Sequence, residues 1–381
     1  MLFKTFLPTV ALVASASAAS LSDVLTAQNS SLSTLNSLLA SNPDIVKVLD
    51  NASNITVLAP SNGALSKFLA NPSNTAAVVS DPSLINALLS YHVINGTWYN
   101  TSFTNTSVFL PTWLSNSSYA NVTGGQVVEA ALDNNNVTFW SALKQNTTIS
   151  TPNLNFTGGT LHIVDSVLSI PGDLNSTLVA ANLTSADGAL AKAGTDLTSQ
   201  LAGLKNVTVF VPSNSAFAAI ANIAANWSNT QVEDILKYHI VDGTVDYSTL
   251  VQNNTQADTL GGGKLSFTVD NGTIFVDSAR IIEKDVLINN GVLHVIDGVL
   301  NPQNTTAKPN TSGTTDAPAF TGATAGTNSV PFTSGVPTPT TTVPAATAAS
   351  SSKSSGLAMP LQTGAAGYAA LFGGAAILMN M

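Results

Sequence analysis

A stretch of twelve residues, written twice, constrains this chain more than any other feature. Asn206-Val-Thr-Val-Phe-Val-Pro-Ser-Asn-Ser-Ala-Phe217 repeats Asn54-Ile-Thr-Val-Leu-Ala-Pro-Ser-Asn-Gly-Ala-Leu65. Each copy opens with an apolar run rich in β-branched residues and too short for a stable helix, which reads as a strand buried on both faces. Pro60 and Pro212 then remove a backbone donor and end the strand. Ser61 and Ser213 follow as N-caps, each offering an oxygen to a free amide of the next helix. In those helices Leu65, Phe68 and Leu69, or Phe217, Ile220 and Ala221, fall at helical spacing and are expected to face the core. One such corner says little. Two of them imply that the surrounding unit is duplicated.

The neighbourhoods agree with duplication. In the first unit, short helices are expected over Leu21 to Ala27, Leu32 to Leu39 and Ile45 to Leu49, followed by the corner. Pro82 opens a further helix with Leu84, Ile85, Leu88 and Leu89 inward. That helix ends at Tyr91-His92, and strands follow near Gly124, over Asn136 to Trp140, and over Leu161 to Leu168. The second unit repeats the order: helices over Leu174 to Ala181 and Ala189 to Leu201, the corner, a helix over Val232 to Leu236 ending at Tyr238-His239, then strands. Gly261-Gly-Gly263 has no Lys-Ser/Thr after it and reads as a hairpin turn rather than a phosphate loop. Helices lead and strands follow, so the expected class is α+β rather than an alternating parallel-sheet fold. A repeat of about 150 residues is too long for a solenoid, which makes two tandem domains, 20–170 and 171–301.

The ends carry addresses. Lys4, the apolar run from Phe6 to Val13 and the small residues up to Ala19 have the three parts of a secretory signal peptide, assigned to residues 1–19. From 302 to 355 Pro, Thr, Ser, Ala and Gly dominate, the composition of a disordered, O-glycosylated stalk. Residues 356–381 end in an apolar tail after the cluster Ser352-Lys-Ser-Ser-Gly356. That order fits a glycosylphosphatidylinositol (GPI) attachment signal with Ser354 or Ser355 as the attachment residue; a retained transmembrane helix is the alternative. About nineteen Asn-x-Ser/Thr acceptors, roughly twice chance, accompany this route. They include Asn54, Asn95, Asn100, Asn105, Asn116, Asn121, Asn136, Asn146, Asn206, Asn226 and Asn271. Since Asn54 and Asn206 both begin the corner, sugar is expected to mark that edge as solvent-facing.

Three duplicated landmarks carry a family likeness. They are the corner, the Tyr-His pair (Tyr91-His92 and Tyr238-His239), and Gly159-Thr-Leu-His-Ile-Val-Asp-Ser-Val-Leu168 with its counterpart Gly291-Val-Leu-His-Val-Ile-Asp-Gly-Val-Leu300. In this order and duplicated, they resemble the fasciclin (beta-Ig-H3) domain, present twice over roughly residues 20 to 301. The anchor signal and stalk resemble fasciclin-like cell-surface glycoproteins of fungi and plants. The resemblance implies a β-wedge flanked by helices, and a role in cell adhesion or in wall and matrix organisation rather than catalysis. It implies cell-surface proteins or wall and matrix glycans as partners, with the outer membrane leaflet holding the lipid. For animal relatives it also implies an integrin contact at the Tyr-His region. The first copy departs by a longer insert before Gly124 that contains Trp98 and Trp113, which puts its binding surface in question.

Chemistry is sparse. Charged residues are 9% of the chain and the net charge is -9, which leaves no basic patch for nucleic acid. The absence of cysteine removes disulfides, thiolate catalysis and Cys-ligated zinc. The four histidines, His92, His162, His239 and His294, all sit at duplicated landmarks. His162 with Asp165, and His294 with Asp297, are three apart on a strand and so face opposite sides. The expected role is a buried imidazole hydrogen-bonded to backbone, fixing helix end to strand, with the aspartates satisfying nearby amides. No carboxylate pair, nucleophile elbow or Walker loop stands out, so neither an enzyme nor a cofactor is expected. Trp98, Trp113, Trp140 and Trp227 are read as packing residues, Trp98 and Trp140 within apolar strand patterns, with stacking on sugar rings as the alternative. Alternatives to adhesion are a glycan-binding module and a passive structural wall mannoprotein.

Overall fold

The computed structural model describes residues 19–304, 307–311, 319–324, 330–333 and 336. Most of the signal segment, most of the stalk, and the attachment signal with Ser354 and Ser355 lie outside the described residues. Among the described residues no helix is long and apolar enough to cross a membrane.

In the first domain three helices lead, α1 (Leu21–Ala27), α2 (Asn29–Ala40) and α3 (Pro43–Asp50). Strand β1 (Ile55–Pro60) is buried along its whole length, and Ser61 then accepts a hydrogen bond from the Ala64 amide (3.2 Å), starting α4 (Asn62–Ala70). Helices α5 (Pro72–Ser80) and α6 (Ser83–Tyr91) follow, then strands β2 (Val93–Asn95), β3 (Val108–Pro111), β4 (Val127–Asp133), β5 (Asn136–Trp140), β6 (Asn146–Phe156) and β7 (Gly159–Val164). The sheet order is β2-β1-β7-β6-β5-β4-β3, antiparallel except for the parallel pair β1 and β7. A bridge between Ile94 and Thr112 nearly closes the ends. Helices cover one side of β1 through Leu32, Leu35 and Leu65, while Tyr91, Phe103 and Phe139 fill the other.

The second domain repeats this plan. Helices α7 (Leu174–Ala180), α8 (Thr184–Ala193) and α9 (Thr195–Gly203) precede β8 (Val207–Pro212), and Ser213 caps α10 (Asn214–Ala218) through the Ala216 amide at 3.1 Å. Helices α11 (Ala221–Ala224) and α12 (Asn229–Tyr238) lead to β9 (Ile240–Val241), β10 (Gln256–Asp258), β11 (Lys264–Asp270), β12 (Thr273–Val276), β13 (Ala279–Ile288) and β14 (Gly291–Ile296). Element for element its sheet order is that of the first domain, with β14 and β8 as the parallel pair. The parallel pairs run close together at their mouths. A Cβ on Gly159 would lie 1.8 Å from the Ile55 carbonyl oxygen, and one on Gly291 would lie 1.8 Å from that of Val207. Only a residue without a side chain fits either place.

Four expectations are corrected. Leu69 is 47% exposed, because α4 turns it past the core that Leu65 and Phe68 enter. The helix expected over Ala189 to Leu201 is two helices, broken at Gly194, whose φ of 105° ends α8 and re-aims the chain. Trp98 lies in a loop after β2, not in a strand. The stalk does not begin cleanly after 301: Phe320, Ala323 and Phe332 pack against the core of the second domain.

Candidate functional site

The four histidines are buried, and each spans two pieces of backbone. His92 is the C-cap of α6. Its Nδ1 donates to the Leu88 carbonyl (2.8 Å), and its Nε2 accepts from the Leu168 amide (2.9 Å). His239 does the same between Ile235 (2.7 Å) and Leu300 (2.9 Å). Each ring thus ties the end of the last helix to the chain leaving the last strand. Burial drives both imidazoles down to a pKa of about 4, so both are neutral near pH 7.

His162 and His294 work in the other tautomer. Nδ1 of His162 accepts from the Asn153 amide (3.1 Å) while Nε2 donates to the Trp98 carbonyl (2.8 Å). His294 accepts from Asp285 (3.2 Å) and donates to the Asp246 carbonyl (3.0 Å). Asn153 and Asp285 have φ of 57° and 61° and stand at bulges where the registers of β6 on β7 and β13 on β14 slip. The extra residue turns an amide inward toward the ring. Burial lowers the pKa of both histidines. The aspartates are apart from these rings: Asp165 accepts from the Thr148 amide and Asp297 from the Arg280 amide.

Tyr91 and Tyr238 are also interior. The Tyr91 hydroxyl donates to the Val127 carbonyl (2.9 Å), and that of Tyr238 reaches the Lys264 carbonyl (3.0 Å) and the Asp277 carboxylate (2.9 Å). Tyr91 is 0% exposed and Tyr238 1%. The Tyr and His side chains of both copies are therefore interior and lock a helix onto the sheet. Among the described residues no group of three or more His, Cys, Asp or Glu is placed to hold a metal.

The tryptophans divide. Trp227 is buried. Trp98 is half-buried against Phe103 with its indole N–H on the Asn95 carbonyl, and the Trp113 indole N–H donates to the Asn95 side-chain oxygen. These rings brace a turn. Trp140 ends β5, with the Lys144 ammonium 5.8 Å from its ring centre.

What the sequence did not show is the contact between the domains. The end of the first-domain insert, around Asn121 and Thr123, lies over the mouth of β8. Asn121 donates from Nδ2 to the Leu204 carbonyl (3.0 Å), and its amide donates to the Asn289 carbonyl (2.7 Å). Asn206 and Thr123 exchange two bonds: the Thr123 amide to Oδ1 (2.7 Å) and Nδ2 to the Thr123 hydroxyl (2.8 Å). Buried Gln126 donates to the Ile288 carbonyl (2.9 Å), and Phe109 stacks on Tyr247 with ring centres 4.0 Å apart. Val127 joins Tyr247, Leu287 and Val292 in one apolar cluster. Beside it lie the Lys144–Glu129 ion pair (2.6 Å) and Glu283; burial raises the pKa of both glutamates.

Asn206 is partly buried, its side chain engaged across the domain contact. Its counterpart Asn54 is exposed, and its side-chain oxygen accepts from the Thr97 amide of its own domain. Asn95, Asn105, Asn116, Asn136, Asn146 and Asn271 are exposed as well, while Asn100 is partly buried and exchanges bonds with Asn153. Asn226 is exposed, with Nδ2 donating to the Asn222 carbonyl. Next to the domain contact runs a groove of about 710 Å³, lined on one side by Phe109, Pro111 and Thr123 and on the other by Val245, Asp246 and Leu250.

The fold, the twofold landmarks and their shared hydrogen bonds define tandem fasciclin domains. The fasciclin domain family model matches residues 30–171 and 181–302, and the chain belongs to that family. Among its relatives, a fasciclin-like arabinogalactan protein of Arthroderma benhamiae is 35% identical over 316 residues, covering 82% of this chain and 74% of the relative. The fasciclin-like arabinogalactan protein elcF of Phaeosphaeria nodorum is 31% identical over 294 residues, covering 77% of this chain and 91% of its own. The solved FAS1 domain pair of the insect cell adhesion molecule fasciclin I aligns over 73% of this chain and 99% of its own, at 17% identity and a TM-score of 0.36.

Proposed function

We propose that this chain is a non-catalytic cell-surface glycoprotein that mediates cell adhesion or wall organisation through its paired fasciclin domains. The observation that carries the reading is the similarity to fungal fasciclin-like arabinogalactan proteins over both domains. The structure supports it in two ways. The landmark residues with chemical potential are buried in backbone clamps, and the two domains are joined through a bonded, partly apolar contact that presents them as one body. Partners are wall or matrix glycans and cell-surface proteins. Binding is weak per molecule and strengthened by many tethered copies. Deleting the gene is expected to reduce cell–cell cohesion; unchanged cohesion and an unchanged wall would reject the reading.

The tether in this proposal is a GPI lipid attached at Ser354 or Ser355. Phosphatidylinositol-specific phospholipase C is expected to release the protein from intact cell membranes into the medium. Protein that stays with the membrane after complete digestion would indicate a retained span instead. A glycan-binding reading finds its place in the interdomain groove rather than on Trp98 and Trp113. The groove combines an aromatic ring, hydroxyls and the carboxylate of Asp246, whereas Trp98 and Trp113 are half-buried.

A further inference from the structure

Two aromatic residues of the Thr- and Pro-rich tail sit in the second domain. Phe332 meets Phe217 edge-on at 5.8 Å and lies over Trp227 at 6.3 Å, with the Lys192 ammonium 5.3 Å from its ring centre. Phe320 lies against Trp227 at 5.3 Å. Between them the chain is clasped by Asn222, which donates to the Gly322 carbonyl (3.0 Å) and accepts from the Thr324 amide (2.9 Å). One side-chain amide thus satisfies both a carbonyl and an amide of the turn that the Ala323 amide closes on the Phe320 carbonyl (3.2 Å). The floor is Gly188, where a Cβ would stand 1.5 Å from the Phe332 carbonyl oxygen.

This is the anatomy of a peptide-binding groove: two ring pockets, a backbone clasp and a bare floor. The described strap residues form no helix or strand with the domain, and Thr321, Thr324 and Thr333 point outward, leaving room for sugar. At its upstream end the strap is held by Asn301 and Asn304, which donate to the Ala319 carbonyl at 3.1 and 3.0 Å. The chain from Asn304 to Ala319 has a covalent reach of about 50 Å, although its ends meet. A domain of this size is about 35 Å across. The slack is enough to carry the strap to a neighbouring molecule.

We infer that the second domain carries a groove for a Phe-bearing peptide, and that its ligand is the tail of this chain around Phe320 and Phe332, supplied in cis by dilute molecules and by a second copy where molecules are crowded. The cis form wins in solution because the linker holds the strap at an effective concentration of about millimolar. Only surface densities of that order favour exchange. The inference does not depend on the adhesive reading, since its test involves no cells.

The test uses the full chain with Phe320→Ala and Phe332→Ala together, and a fluorescent peptide of residues 316–336 as the probe. The double variant is expected to keep native circular dichroism and to bind the peptide saturably, at least ~10-fold more tightly than wild type, whose own strap competes. Peptide carrying the same two changes is expected not to bind, and Asn222→Ala is expected to weaken binding. A folded double variant that shows no saturable binding overturns the inference. So does a double variant that unfolds, because the strap would then be core rather than ligand. Binding that persists when the peptide lacks both phenylalanines overturns it too.

Discussion

At the scale of single residues, the histidines give the sharpest expectation. His92 and His239 fall from an ordinary value of 6.5 to about 4 on burial. A folded-state value below the unfolded one means that the unfolded chain binds the extra proton first. Stability contributed this way is intact above pH 6.5 and is lost as pH falls toward 4, by about 3 kcal/mol per histidine. Glu129, Glu283 and Asp277 have the opposite sign, because burial raises their pKa values. A single variant separates the two effects. His92→Gln is expected to lower stability at pH 7 by about 1–3 kcal/mol, from lost hydrogen bonds, and to flatten the first domain's loss of stability between pH 6.5 and 4. Urea midpoints measured across that range check it. An unchanged pH slope would mean that the imidazole is not held neutral as the structure shows.

At the scale of elements, the insert before Gly124 joins the two domains. Asn206→Gly keeps a backbone that tolerates φ of 58° and removes both bonds to Thr123, about 1 kcal/mol each. Asn54→Gly is the matched control, because it has the same φ (57°) and also deletes a sequon, yet touches no other domain. Spin labels placed one on each domain are expected to report a broadened distance distribution for Asn206→Gly and an unchanged one for Asn54→Gly. Equal broadening in both would remove the insert's role. This contact was not legible in the sequence, since its bonds join residues 83 and 162 positions apart and rest on the shape of an insert with no repeat partner. The corner was legible because each part acts locally: β-branched run, proline stop, serine cap. Strand β5 was found at its observed ends. Strand β6, Asn-Thr-Thr-Ile-Ser-Thr-Pro-Asn-Leu-Asn-Phe, was missed because its polar residues and Pro152 read as loop. Strand β13 was missed because Arg280, Glu283, Lys284 and Asp285 break its apolar pattern.

At the scale of the molecule, the duplicated landmarks turn out to hold the fold. Composition alone reads the stretch after 301 as stalk, yet Phe320 and Phe332 are its only aromatic residues up to Ser355. Two isolated rings in a Thr- and Pro-rich stretch were the available signal that part of it returns to the body. The chain thus presents a joined pair of domains with the strap closed on the second. The central claim is that this pair, displayed at the cell surface, provides cohesion as a unit. The direct measurement is cohesion of cells lacking the gene, complemented with wild-type protein or with Asn206→Gly protein at equal surface display. Wild type is expected to restore cohesion and Asn206→Gly to restore distinctly less. Cohesion that is unaffected by loss of the gene would contradict the account.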